Sequence, residues 1–203
     1  MKMTPTAVIG GALAILTVIV ILMVAWPYST ADMTPSEIYR DRTDIEKAGF
    51  KIYLQNGCVY CHSQAIRAFD WGHGAHRIAQ AGDYIGDQPI QLGSARTGVD
   101  LSQEGGEHPD DWHIAHFVNP RYTRPNSIMP PFAWLGEDRI HTLTQYVQSL
   151  GLKGADKRME RQRYWKAEAI RAYEAGPDAN ARWLAEIVPQ GWRDIPNPYP
   201  VSY

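Results

Sequence analysis

The sequence predicts a mainly α-helical protein: an N-terminal transmembrane helix, a small helical domain, and a tail that is helical and then extended. Three observations carry this reading. One is a long uncharged run near the N-terminus. The second is helical spacing of apolar residues on both sides of a single Cys-x-x-Cys-His motif. The third is a charged, aromatic stretch after Gly151. The chain of 203 residues has room for one modest domain plus extras. Its expected divisions are an anchor over 1–28, a linker over 29–42, the domain over 43–151 and an extension over 152–203. A formal net charge of −2 argues against general affinity for nucleic acid, whose phosphates demand a basic excess. Seven tryptophans and eleven tyrosines favour a compact body with buried rings or interface anchors.

The anchor is "AVIGGALAILTVIVILMVAW", Ala7 to Trp26, with no charged residue. At about 1.5 Å per residue this run matches the roughly 30 Å hydrocarbon layer. Trp26 and Tyr28 follow where amphipathic rings favour the membrane interface, and Lys2 before the span favours a cytoplasmic N-terminus. A cleaved signal peptide is the rival, with small residues at Ser29–Ala31, but the apolar run exceeds the usual span of about 7–15 residues. "PYSTADMTPSEIYRDRTD" then reads as a polar linker or lead-in.

Thr43-Asp44 with Glu46 starts a helix, and Ile45, Gly49 and Tyr53 fall on one side of it, flanked by Phe50 and Leu54. Asn56-Gly57 ends it. Between His62 and Asn126 the glycine-rich stretches read as loops, with "DDWHIAHFVN" as a short helix. In "GEDRIHTLTQYVQSLG", Ile140, Leu143, Val147 and Leu150 share a face, and Gly151 closes the helix. "PDANARWLAEIVP" suggests a further short helix, and "QGWRDIPNPYPVSY" reads as extended.

"GCVYCHSQAIRAF" holds both cysteines, Cys58 and Cys61, with His62 directly behind. Two thiols at this spacing can add to the two vinyl groups of one haem, and the adjacent imidazole lies where it can bind the iron. A thioredoxin-like pair would sit in a βαβ unit, which is not seen around Cys58. A zinc site would need further ligands, for which His73 and His76 are the candidates. The motif therefore predicts one covalent haem c with His62 as an iron ligand.

For the other axial position, Met129 in "NSIMPPF" is the expected ligand, because Pro130 and Pro131 hold the backbone extended and present the thioether. Met159 lies in a charged stretch and is expected at the surface. His73, His76, His108, His113, His116 and His141 are the competing ligands, and an ordinary core methionine is the plain alternative for Met129. A Met/His pair raises the reduction potential, which suits an electron carrier. With both axial positions filled the iron passes electrons and has no site for substrate, so this chain carries no catalytic residue.

These residues resemble a class I cytochrome c domain, in which a first helix crosses a last helix at a glycine–aromatic contact. Gly49 and Tyr146 are the matching positions. "RTGVDL", Arg96–Leu101, is similar to the family's haem-edge loop R-x-G-P-x-L, whose proline carbonyl accepts a bond from the histidine ligand. Val99 stands at the proline here, which keeps the carbonyl but removes the φ lock. "GCVYCHSQAIRAF", "GSARTGVDL", "DDWHIAHFVNPR" and "SIMPPFAWL" together resemble the mono-haem subunit II (FixO-like) of cbb-type cytochrome c oxidases, over roughly Gly49 to Leu150. Phe69 departs from that pattern, following Ala68 where the family has proline.

The resemblance implies a single-pass subunit of a bacterial inner membrane with its haem outside the cytoplasm. Such a subunit takes electrons from a di-haem subunit or a soluble cytochrome and passes them to a haem-copper subunit that reduces oxygen. A nitric oxide reductase-type complex, a free-standing tethered shuttle and a haem-based gas sensor are the other readings. Within this picture Arg96 is expected to reach a haem propionate. Trp112, Trp134 and Arg121 are candidate interface anchors. "SQAIRAF" either packs on a partner or lies over the haem edge. Tyr164, Trp165 and Tyr173 either dock the tail on a partner or sit on a solvated helix face.

Overall fold

The computed structural model describes residues 4–32, 34–68, 70 and 77–182. Lys2, Phe69, His73, His76 and the end 183–203 lie outside the described residues. The chain falls into two units, Met1–Thr34 and Pro35–Tyr203. Among the described residues every regular element is helical, as the spacing of apolar residues predicts.

The first unit is one helix, α1, Pro5–Thr30, with 26 residues and a mean hydropathy of 2.9 in its most apolar stretch. No residue of it is buried within the chain, and it is long and apolar enough to cross a membrane. Thr4 caps it by accepting from the Ala7 N–H at 3.3 Å, and Pro5 takes the first helical position, where its missing N–H costs nothing. Ahead of Pro27 the helix widens into a π turn, Ile21–Ala25, in which the Trp26 N–H donates to Ile21 five residues back. A proline ring would clash with the carbonyl four residues before it, and the wider turn gives that carbonyl room.

The second unit is built on α2 (Asp44–Gln55), α3 (Asp110–Val118), α4 (Glu137–Gln148) and α5 (Lys153–Glu174), followed by a short α6 (Pro177–Arg182). Thr43 and Glu46 form a capping box at the start of α2, with the Thr43 N–H donating to Glu46 at 2.7 Å. α2 packs on α4 more extensively than any other two helices pack. Gly49 lies at their crossing, where a Cβ would stand 2.6 Å from Tyr146 Cβ and closer still to the Thr142 carbonyl. The core around this crossing holds Phe50, Tyr53, Phe117, Leu135, Leu143, Tyr146 and Val147. Each such side chain contributes roughly 1.5–3 kcal/mol on burial.

Residues 35–42, expected as part of a linker, are fastened to this body. Arg42 pairs with Asp87 at 2.7 Å, both side chains nearly fully buried, donates to Ser149 Oγ and lies over the Tyr146 ring at 5.0 Å. Arg40 pairs with Glu46 at 2.7 Å and with Asp156 at 2.6 Å. α5 joins the body through its first turns, where Ala155 and Arg158 are buried. Met159, expected at the surface, is half-buried there. Tyr164 and Tyr173, further along the helix, are exposed.

Gly49→Ala forces the Tyr146 side chain and the Thr142 backbone apart. Denaturant unfolding of this variant is expected to show a loss of about 1–3 kcal/mol, whereas an unchanged midpoint would show that the two helices do not meet there.

Candidate cofactor site

α2 ends at Asn56, and Gly57 takes a φ of 66° that only glycine adopts without strain. The chain then enters a single 3₁₀ turn, Cys58–Tyr60, in which Cys58 O accepts from the Cys61 N–H at 3.2 Å and the His62 N–H at 3.0 Å. That turn puts Cys58, Cys61 and His62 along one cavity of about 780 Å³, a volume within the roughly 300–1,000 Å³ of cofactor sites. No disulfide joins the two cysteines, and burial pushes the Cys58 thiol up to about 11.

The loop 96–101 forms the next wall. His62 Nδ1 lies 2.8 Å from the Val99 carbonyl, which can only accept, so the proton sits on Nδ1 and the Nε2 lone pair is free. Gly98 makes this possible, because a Cβ there would stand 2.6 Å from His62 Nδ1. The loop is also tied to the motif by Gly98 N–H donating to Cys61 O and Leu101 N–H donating to Ser63 O, both at 2.8 Å. Asp100 accepts from Ser63 Oγ at 2.6 Å.

Met129 lines the same cavity and packs on the core. Its strand of loop is held by Ser127 Oγ, which accepts from the Met129 N–H at 3.2 Å, and by Arg121, which donates to the Met129 carbonyl at 3.4 Å. Phe132 N–H donates to Phe117 O at 2.8 Å, tying this segment to α3. Val99 and Ile128, both exposed, stand among the lining residues.

The competing histidines divide. His108, His113 and His116 line the cavity, while His141 is exposed, with Nε2 3.8 Å from Glu137, and does not. Trp112, a candidate interface anchor, is half-buried and stacks on His108 (3.9 Å) and His116 (4.8 Å) in the cavity wall. His116 Nδ1 is bound to Thr123 Oγ1 at 2.6 Å. Burial holds His113 and His116 near 4, as neutral imidazoles. Glu104, missed by the sequence reading, is a half-buried carboxyl on the same wall, raised to about 7 by desolvation and by Glu107. No group of three or more metal-binding side chains gathers among the described residues, and the zinc candidates His73 and His76 lie outside them.

Arg96 does not reach the cavity. Its guanidinium is taken up by Asp70 at 2.6 and 2.7 Å, by Ser63 Oγ at 2.7 Å and by the Ala65 carbonyl at 2.7 Å. Among the described residues, the arginine that does line the cavity is Arg124. "SQAIRAF" turns inward rather than outward at its start: Ser63 and Gln64 are buried, and Gln64 shares hydrogen bonds with the Tyr146 hydroxyl at 3.1 and 3.3 Å. Trp134 and Arg121 are exposed.

The residues fit a haem. The cavity is walled largely by apolar side chains, two thiols and an imidazole with a free Nε2 face it from one turn, and a thioether faces it from another loop. A helical body closed around such a cavity has the build of a c-type cytochrome. Over residues 2–181 the chain matches the family model described as cytochrome c oxidase, mono-heme subunit/FixO, and it belongs to that family. No curated protein matches it.

The Arg96 and Arg67 partners hold the Asp70 carboxyl well below its ordinary value of 3.8. Asp70 therefore stabilises the fold above pH 4, and this contribution disappears as acid protonates it. Urea titrations of Asp70→Asn are expected to show a deficit against wild type at pH 7 that closes as the pH falls below about 4. A deficit independent of pH would assign the loss to packing instead.

Proposed function

We propose that this chain is the membrane-anchored electron-relay subunit of an oxygen-reducing terminal oxidase. It takes electrons from a di-haem subunit or a soluble cytochrome c and passes them to the haem-copper subunit. The observation that carries this reading is the gathering of Cys58, Cys61, His62 and Met129 around one largely apolar cavity, with His62 Nδ1 committed to Val99. The family supplies the context of a cytochrome c oxidase complex.

In this reading Cys58 and Cys61 would attach one haem c covalently, and His62 and Met129 would hold its iron. The bound haem supplies reversible one-electron chemistry. The chain's own residues do the rest. The Val99 carbonyl keeps the imidazole in one tautomer and makes it a better donor. Phe117, Phe132, Leu143 and Val147 exclude water from the site, which limits reorganisation when charge moves. Val99 and Ile128, exposed at 64% and 77%, form an apolar rim through which electrons enter and leave.

α1 anchors the domain as a single pass with the N-terminus in the cytoplasm and the haem domain on the periplasmic side of the bacterial inner membrane. The domain proper is read as 43–151, with 152–203 as an extension whose exposed Tyr164 and Tyr173 face partner subunits. With His62 and Met129 as the residues that would hold the iron, the chain is read as an electron carrier whose catalytic partner is another subunit.

In the oxidised full-length protein, Met129→Ala is expected to abolish the weak far-red absorption band of sulfur-to-iron charge transfer and to lower the reduction potential. Persistence of that band would exclude Met129 as the ligand.

A further inference from the structure

One end of the cavity is polar and its groups have too few partners. His113 is only 2% exposed, and its Nε2 is buried without a hydrogen bond. Glu104 Oε1 stands 3.9 Å away, beyond hydrogen-bond reach. An orphaned buried imidazole nitrogen is destabilising unless something arrives to satisfy it. The Arg124 guanidinium lines the same cavity and makes no hydrogen bond or ion pair among the described residues. Its charge acts on Glu104, His108 and His116, so it belongs to this end.

Glu104 is placed there by the rest of the fold. Arg158, from α5, donates to Gln103 O and Gly105 O, both at 2.7 Å, and so grips the backbone on each side of it. Gln162 donates to Gly106 O at 2.6 Å, and Gly105 N–H donates to Leu150 O at 2.8 Å. Outside the cavity, Arg158 also pairs with Glu107 at 3.3 Å.

We infer that this end is the subsite for the two haem carboxylates, with the Arg124 guanidinium and the His113 imidazole as their donors and the Glu104 carboxyl beside them. The inference rests on the haem reading above and adds an orientation to it. A carboxylate requires a free cation and a donor, and the unpartnered Nε2 of His113 supplies the second when the ring's proton sits there. A second carboxyl beside an anion is tolerated only when it keeps its proton, and burial of Glu104 favours that form. Arg96, expected in that role, is bound to Asp70 and does not line the cavity, whereas Arg124 does.

The test uses the full-length, haem-loaded protein, with resonance Raman of the propionate bending mode and the midpoint potential as readouts. Arg124→Gln is expected to shift the propionate mode and to lower the midpoint, because a cation near the haem favours the added electron. Arg124→Lys restores the midpoint. Lys51→Gln removes the same charge from an exposed site outside the cavity and changes neither. His113→Leu shifts the propionate mode while leaving the axial signature intact; if that variant does not fold, His113→Gln, which keeps an amide donor, preserves the mode.

If Arg124→Gln retains a normal c-type spectrum and matches Lys51→Gln in both readouts, the subsite is wrong while the haem reading stands. Loss of the axial signature in His113→Leu would put His113 on the iron and overturn the assignment. A colourless wild-type chain would end both.

Discussion

The bond from His62 Nδ1–H to the Val99 carbonyl is the contact on which the site depends. It chooses the tautomer, leaves Nε2 as the free donor atom, and fixes the plane of the ring. Its acceptor is a loop residue, so the loop has to be stiff. Where proline would lock φ, this chain has valine, and other contacts supply the stiffness. Gly98 and Leu101 donate back to Cys61 and Ser63, while Arg96 and Asp100 are bound to Asp70 and Ser63. The loop 96–101 and the motif 58–63 therefore form one hydrogen-bonded unit, and Gly98 is the position that lets the imidazole approach.

Around that unit, the body supplies dryness and an uneven charge distribution. α2 and α4 cross closely because Gly49 has no side chain, which sets the floor of the cavity through Tyr53, Leu143 and Val147. α3 contributes His113 and the Trp112 stack. α5 reaches the site only indirectly, through Arg158 and the backbone of 103–105. The cavity wall therefore combines exposed apolar residues, Val99 and Ile128, with the polar groups Glu104, His113 and Arg124.

Much of this was legible in the sequence, for physical reasons. Cys58-x-x-Cys61-His62 is a local motif, and helix faces follow from period, so the α4 face of Ile140, Leu143 and Val147 was readable and is buried. Ile45 was misplaced. It is half exposed, and Glu46 is buried in its stead because Thr43 and Arg40 satisfy its carboxylate. Arg96 was assigned to a haem carboxylate from its position in the motif, but its partner Asp70 lies 26 residues away in sequence and no spacing rule reveals it. The grip of Arg158 on Gly105, 53 residues apart, was hidden for the same reason. The stacking of Trp112 on His108 and His116 was hidden too, since a sequence does not show which rings line a cavity.

The central claim is that His62 and Met129 close both faces of the iron, so that the chain carries electrons and performs no chemistry on a gas. Adding carbon monoxide to the dithionite-reduced full-length protein tests it most directly. The account predicts an unchanged absorption spectrum; prompt stoichiometric formation of a carbon monoxide adduct would contradict it.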